Sequence, residues 1–242
     1  MAEFERNYAR TGPVAGTRAI DEGLRSYMLR VYNYMGIGLA VTGVVAYTMA
    51  ALAVSNPAFA QAVYGSPLMW VIILAPLGMV FFLSFRINKM SVSAAQTTFW
   101  IFAALMGASL SSIFLVYTGN SIARVFFITA ATFGSVSLYG YTTKKDLSGW
   151  GSFLFMGLIG IIIAMVVNIF LASSALQFAI SVIGVLVFTG LTAYDTQQIK
   201  EMYFEGDSSL VAGRKAIMGA LRLYLDFINL FLMLLRLFGN RE

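Results

Sequence analysis

The chain has 242 residues, of which 59% are hydrophobic and 11% charged, with a net charge of +5 and a mean hydropathy of +0.80. Soluble domains run at about 45–50% apolar and ~25% charged, so this composition belongs in lipid. Cysteine and histidine are both absent. That excludes disulfides, thiol nucleophiles, thiolate-held metals, and imidazole as base, ligand or neutral-pH switch.

Residues 1–30 are polar and mixed in charge, with Arg6, Arg10, Arg18, Arg25 and Arg30 set against Glu3, Glu5, Asp21 and Glu22. They read as a cytoplasmic tail with a short surface helix. The apolar run over 31–54 is too long, and starts too late, for a cleaved signal peptide, so it is expected to be the first membrane helix. Further spans are expected over 67–85, 94–116, 122–141, 153–171 and 176–199. A polar loop over 200–215 precedes the last, over 216–238. No alternation at period two suggests a barrel, so the expected fold is an all-α integral membrane protein with seven transmembrane helices.

Lys and Arg near the span ends give the orientation. One set of loops holds the N-terminal arginines, Arg86, Lys89, Lys144, Lys145, Lys200, Arg214, Lys215 and the nearby Arg222; the other holds Arg124, Arg236 and Arg241. The N-terminus is therefore expected inside and the C-terminus in the periplasm, although the basic tail would also suit a last segment that enters and returns. Ala103, Gly107 and Ser111 lie on one stripe that would let a neighbouring helix approach closely. Tyr27, Trp70, Trp100, Tyr117, Tyr141 and Trp150 suit an interfacial belt.

The ionisable residues within the spans carry the functional information, because an intramembrane charge is costly. Two carboxylates qualify, Asp195 and Asp226. At ~1.5 Å per residue both sit roughly 13–16 Å from the ends of consecutive antiparallel spans, so they can meet at similar depth. An ionised Asp at a helix centre costs roughly 2.5–3.5 kcal/mol. Protonating it at pH 7 costs about 4.2 kcal/mol. The near balance, with mutual repulsion added, makes a proton-sharing pair a sensor near neutrality. The structural alternative pairs Asp226 with Arg222 and Asp195 with Lys200. Asn229 shares the face of Asp226 and would complete a hydrogen-bond cluster, and Asn168 suits a bond between helices. Arg86, closing the second span, is either an anchor or a counter-charge that holds a pathway closed.

The segments Leu223-Tyr-Leu-Asp-Phe-Ile-Asn-Leu-Phe-Leu, Gly190-Leu-Thr-Ala-Tyr-Asp-Thr-Gln, Ser109-Leu-Ser-Ser and Tyr139-Gly-Tyr-Thr-Thr-Lys-Lys-Asp-Leu resemble the Bax inhibitor-1, or transmembrane Bax inhibitor motif, family. The resemblance covers nearly everything from Tyr27 to Gly239 and suggests a bacterial member in the inner membrane. It implies seven helices with the last surrounded by the other six, and a pH-sensitive calcium leak governed by two hydrogen-bonded aspartates at the positions of Asp195 and Asp226. It also implies an arginine latch on the second helix, for which Arg86 is the candidate. No bound cofactor is expected; calcium is the transported ion, held transiently by the two aspartates. The implied partners of the leak are the bilayer and calcium, with no nucleic acid; the alternative reading the resemblance allows is a regulatory interaction protein that modulates a membrane-bound AAA protease or a stress response, with the polar tail as its handle. Intramembrane aspartyl proteolysis is disfavoured, because the Gly-x-Gly-Asp and Pro-Ala-Leu signatures of such enzymes are missing: the four prolines are Pro13, Pro57, Pro67 and Pro76. No enzymatic activity is expected.

Overall fold

The computed structural model describes the backbone of residues 13–241 and the side chains of residues 22–241. The polar tail, which carries the expected contact with a partner protease, lies outside the described residues over 1–12. Helix α1 runs without interruption over Pro13–Ser55, so it begins well ahead of the apolar run that starts at Val31. Packing explains the difference: Tyr27, Met28, Val31 and Met35 recur at helical spacing and are buried in the bundle, so the interior-facing stripe extends further than the hydropathy does.

Helix α2 (Pro57–Tyr64) is a short element that the hydropathy did not signal. The Asn56 side chain accepts from the Phe59 backbone N–H at its start, where Pro57 occupies the first helical position and loses no intrahelical bond by lacking a donor. Then come α3 (Leu68–Arg86), a 3-10 turn over Ile87–Lys89, α4 (Val92–Leu110), α5 (Ile113–Val116), α6 (Gly119–Thr142), α7 (Ser148–Leu171), α8 (Ser174–Glu201) and α9 (Ser209–Phe238). The side chains of Ser91, Thr118, Ser173 and Ser208 cap α4, α6, α8 and α9 by accepting from a backbone N–H three residues on, each such cap contributing about 1 kcal/mol. The third span breaks between α4 and α5 where the Ser109 and Ser111 hydroxyls donate to the carbonyls of Met106 and Ala108, a local competition that bends or ends helices.

Seven helical segments are long and apolar enough to cross a membrane, and no strand occurs among the described residues. The central element is α9, with 72% of its apolar window buried. Helices α1, α4, α6 and α8 pack directly on it, while α3 leans on α4 and α7 on α8 from outside. The last helix does not return to the side it started from. It continues to Phe238, and Asn240 then exchanges backbone and side-chain hydrogen bonds with Thr118 and Ser121 at the start of α6. Gly23, near the start of α1, approaches Tyr203 beyond the end of α8, so the described termini lie at opposite ends of the bundle.

Close helix approach requires glycine at two places. A Cβ at Gly140 would strike the Ala193 carbonyl, and one at Gly107 would lie 2.5 Å from the Thr42 carbonyl oxygen. The Gly107 contact realises the small-residue stripe of α4, which packs on α1. Of the expected aromatic belt, Trp70 and Trp150 are exposed at the rim, but Tyr27 and Tyr117 are buried and serve the interior instead.

Candidate functional site at the paired aspartates

Helices α8 and α9 are joined by a short loop and pack antiparallel along their length, which brings Asp195 and Asp226 to the same level. Their carboxyl groups lie within hydrogen-bonding reach of each other. Such a contact holds only if one of the two carries a proton, because an ionised carboxylate has no donor. Asp226 is buried at 5% exposure, and its Oδ2 has no hydrogen-bond partner among the described residues. Asp195 is half-buried.

The local cations do not neutralise the pair. Arg222, one turn before Asp226, is exposed. Its charge acts on both aspartates, yet the ion pair among the described side chains is Lys215 with Asp207, not Arg222 with Asp226. Lys200 turns away from Asp195: its Nζ donates to the Tyr141 carbonyl at 2.8 Å and lies over the Tyr141 ring. Arg86 is exposed at the end of α3 and makes no ion pair with either aspartate, so the expected latch is not formed in this arrangement. Asn229 does not join the aspartates, because its Nδ2 donates to the Leu225 carbonyl one turn back. Asn168 does not bridge helices either. Its side-chain oxygen accepts from the Ser173 backbone N–H and closes the tight turn in which Ala172 takes a left-handed φ of 47°.

Buried hydroxyl contacts tie the neighbouring helices together, and hydropathy gave no sign of them. The hydroxyls of Tyr32, Ser137 and Thr196 form a chain at 2.7 and 2.8 Å that ties α1 to α6 and α6 to α8 at the residue next to Asp195. The Tyr224 hydroxyl, two residues before Asp226, meets Thr42 Oγ1 at 2.6 Å. Thr42 Oγ1 also lies 2.9 Å from the carbonyls of Gly38 and Ala103. Thr42 has a single proton and gives it to a carbonyl, so Tyr224 is the donor in their shared bond. The signal for these residues was hydroxyls four residues apart, as in Thr192 and Thr196, on helices otherwise apolar.

Residues 24–242 match the family described as inhibitor of apoptosis-promoting Bax1. The chain belongs to the Bax inhibitor-1 family. It is 50% identical to the inner membrane protein YbhL of Escherichia coli K12 over 223 residues, covering 91% of this chain and 94% of the relative. A protein of Caulobacter vibrioides is 47% identical over the full length of both chains. A membrane protein of Streptococcus pyogenes serotype M3 is 34% identical, covering 92% of this chain and 96% of the relative.

In this Bax inhibitor-1 family membrane protein, the segments that carried the resemblance have distinct structural tasks. Gln197 accepts from the Leu147 backbone N–H and donates to the Lys145 carbonyl, both at 2.8 Å, which pins the loop after α6 to α8. Gly140 lets α6 approach α8 beside Ala193. Residues 139–147 and 190–197 thus form one brace around Asp195. On α9, Phe227 packs between Phe126 and Phe133, with ring centroids 5.5 Å away from each, and fixes the rotation that turns Asp226 toward α8.

Proposed function

We propose that the protein is a pH-sensitive calcium leak of the bacterial inner membrane, governed by a proton shared between Asp195 and Asp226. The observation that carries this reading is the contact of two carboxyls in the bundle interior, one with an unpartnered oxygen and neither held in an ion pair. An intramembrane carboxylate is costly, and one without a structural cation serves an ion or proton path.

Calcium takes hard oxygen ligands, six to eight in a stable site. Two carboxylates supply at most four, and no group of three or more acidic side chains occurs among the described residues. That donor set suits passage better than storage. When both aspartates are ionised they repel each other and attract the cation. When one or both are protonated the attraction falls and the carboxyl–carboxyl hydrogen bond draws α8 to α9. Acidification therefore favours the closed arrangement, and alkalinisation favours conduction. Arg222 places a positive charge beside the pair and raises the barrier to a cation in the closed form. A passage of this kind requires no enzymatic chemistry.

The test is calcium flux into proteoliposomes across pH for the wild type, Asp195→Asn and Asp226→Asn. The expected result is a leak that rises with pH in the wild type and is flat with pH in both variants. An unchanged pH profile in both variants would overturn the proposal.

A further inference from the structure

Between α1 and α6 lies an apolar groove of about 530 Å³, lined by residues of these two helices and by neither aspartate. Its floor is Met28, Met35 and Phe133, which are buried, and its walls include Leu29 and Leu138, which are exposed. Gly36 and Gly134 face each other's helix across open space: a Cβ at either would meet nothing within 4 Å. The two missing side chains widen the groove where α1 and α6 run past each other.

At the end of the groove nearer the start of α1 the chemistry changes. Arg25 and Leu29 line both the groove and a second depression of about 510 Å³, whose other walls are Glu22, Ser26, Arg30 and Asn33. Arg25 and Arg30 outweigh Glu22 there, and Tyr141, with Lys200 held against it, closes the opposite wall. The charge bias assigns this end to the cytoplasmic face. From Arg25 to Gly36 the helix rises about 16 Å at ~1.5 Å per residue, close to half of a hydrocarbon core ~30 Å thick. A basic, hydrogen-bonding shelf at headgroup level above an apolar slot one leaflet deep has the shape and polarity of a single phospholipid.

We infer that the α1–α6 groove is a binding site for an anionic phospholipid of the cytoplasmic leaflet, its phosphate on Arg25 and Arg30 and one acyl chain in the slot between Gly36 and Gly134. Basic pockets at this level select negatively charged headgroups. The Tyr32 hydroxyl, part of the chain to Ser137 and Thr196, lies at the wall of the slot, so the lipid would pack against the connection that steadies α8. The site does not depend on the leak proposal, because it is read by binding.

Native mass spectrometry of the full-length protein, released from detergent in the presence of phosphatidylglycerol or phosphatidylcholine with identical chains, tests it. The wild type is expected to retain one phosphatidylglycerol at least fivefold more often than phosphatidylcholine. Arg25→Ala combined with Arg30→Ala should erase the preference and leave weak, equal retention. A Cβ at Gly134 meets nothing within 4 Å, so Gly134→Leu puts its side chain into the slot and should abolish retention of both lipids while leaving the melting temperature unchanged. Glycerol phosphate in excess should not displace the bound lipid. Equal retention of phosphatidylglycerol by all three proteins, or displacement by glycerol phosphate, would overturn the inference.

Discussion

The innermost helix and the two outermost ones reverse the rule that holds in water. In a soluble protein the most apolar segments are the most buried. Here α3 and α7 have the highest hydropathy of the seven spans and bury only 11% of their apolar windows, whereas α9 is less apolar and buries 72%. Phe85 and Phe170 on the outer helices are 79% and 83% exposed, and Tyr224 on α9 is fully enclosed. Lipid is as apolar as leucine, so hydrophobicity alone holds no helix inside the bundle. What draws α9 to the centre is close packing and polar contact, through small residues, aromatic interdigitation and buried hydrogen bonds. The outer helices face hydrocarbon over most of their surface, and close packing serves them only on the side that meets α4 or α8.

Substitutions that separate the two regions can break or sharpen this contrast. The largest effect is expected from Gly140→Leu, which drives a side chain into the backbone of α8. Backbone cannot step aside as a rotamer can, and overpacking of this kind costs about 3 kcal/mol. Gly160→Leu on α7, where a Cβ meets nothing within 4 Å, should stay within about 0.5 kcal/mol of the wild type. Thermal unfolding in detergent measures both, and equal melting temperatures for the two variants would refute the contrast.

Next comes Leu230→Ala, at a fully buried position of α9. It should cost about 2 kcal/mol, the low end for a buried leucine, because the unfolded reference in a micelle still keeps the side chain in hydrocarbon. Phe170→Ala, although it deletes a larger side chain, should be nearly silent. Tyr224→Phe removes the donor to Thr42 and should cost about 1 kcal/mol, visible as a modest drop in melting temperature, with helicity unchanged by circular dichroism.

The smallest effect lies at the bundle's polar end. The Asp146 side chain accepts from the Ser148 backbone N–H at 2.8 Å, and this bond holds its carboxyl below the ordinary carboxylate range. A group whose folded value is depressed stabilises the protein above its unfolded value and loses that contribution as pH falls through the folded one. Asp146→Ala should therefore melt slightly earlier than the wild type at neutral pH and together with it in strong acid. A difference that persisted in acid would show that the loop is held by something else.

Much of the bundle was legible before any coordinates. Runs of about twenty apolar residues can only be spans, so the seven helices followed from composition, and the ends differed mainly where caps or an amphipathic stripe extended a helix past its apolar run. The pairing of Asp195 with Asp226 was legible for the same reason: two carboxylates on consecutive antiparallel spans have similar depth. Depth, however, is one coordinate, and the rotation of each helix about its axis is another. Sequence spacing suggested that Arg222, Lys200 and Asn229 were partners of the aspartates, but the fold gave Lys200 to the Tyr141 carbonyl and Asn229 to its own backbone.

The amino-acid sequence by itself determined that this chain lives in lipid, how many times it crosses, and which few polar side chains must be accounted for inside, because hydrocarbon penalises each of them on sight. Only the tertiary structure decided which helices touch the central one, which hydroxyls tie α1, α6 and α8 together, and that a lipid-sized groove lies between α1 and α6. Those depend on rotation and close approach between helices, and one glycine or one turn of offset settles them without leaving any mark on hydropathy.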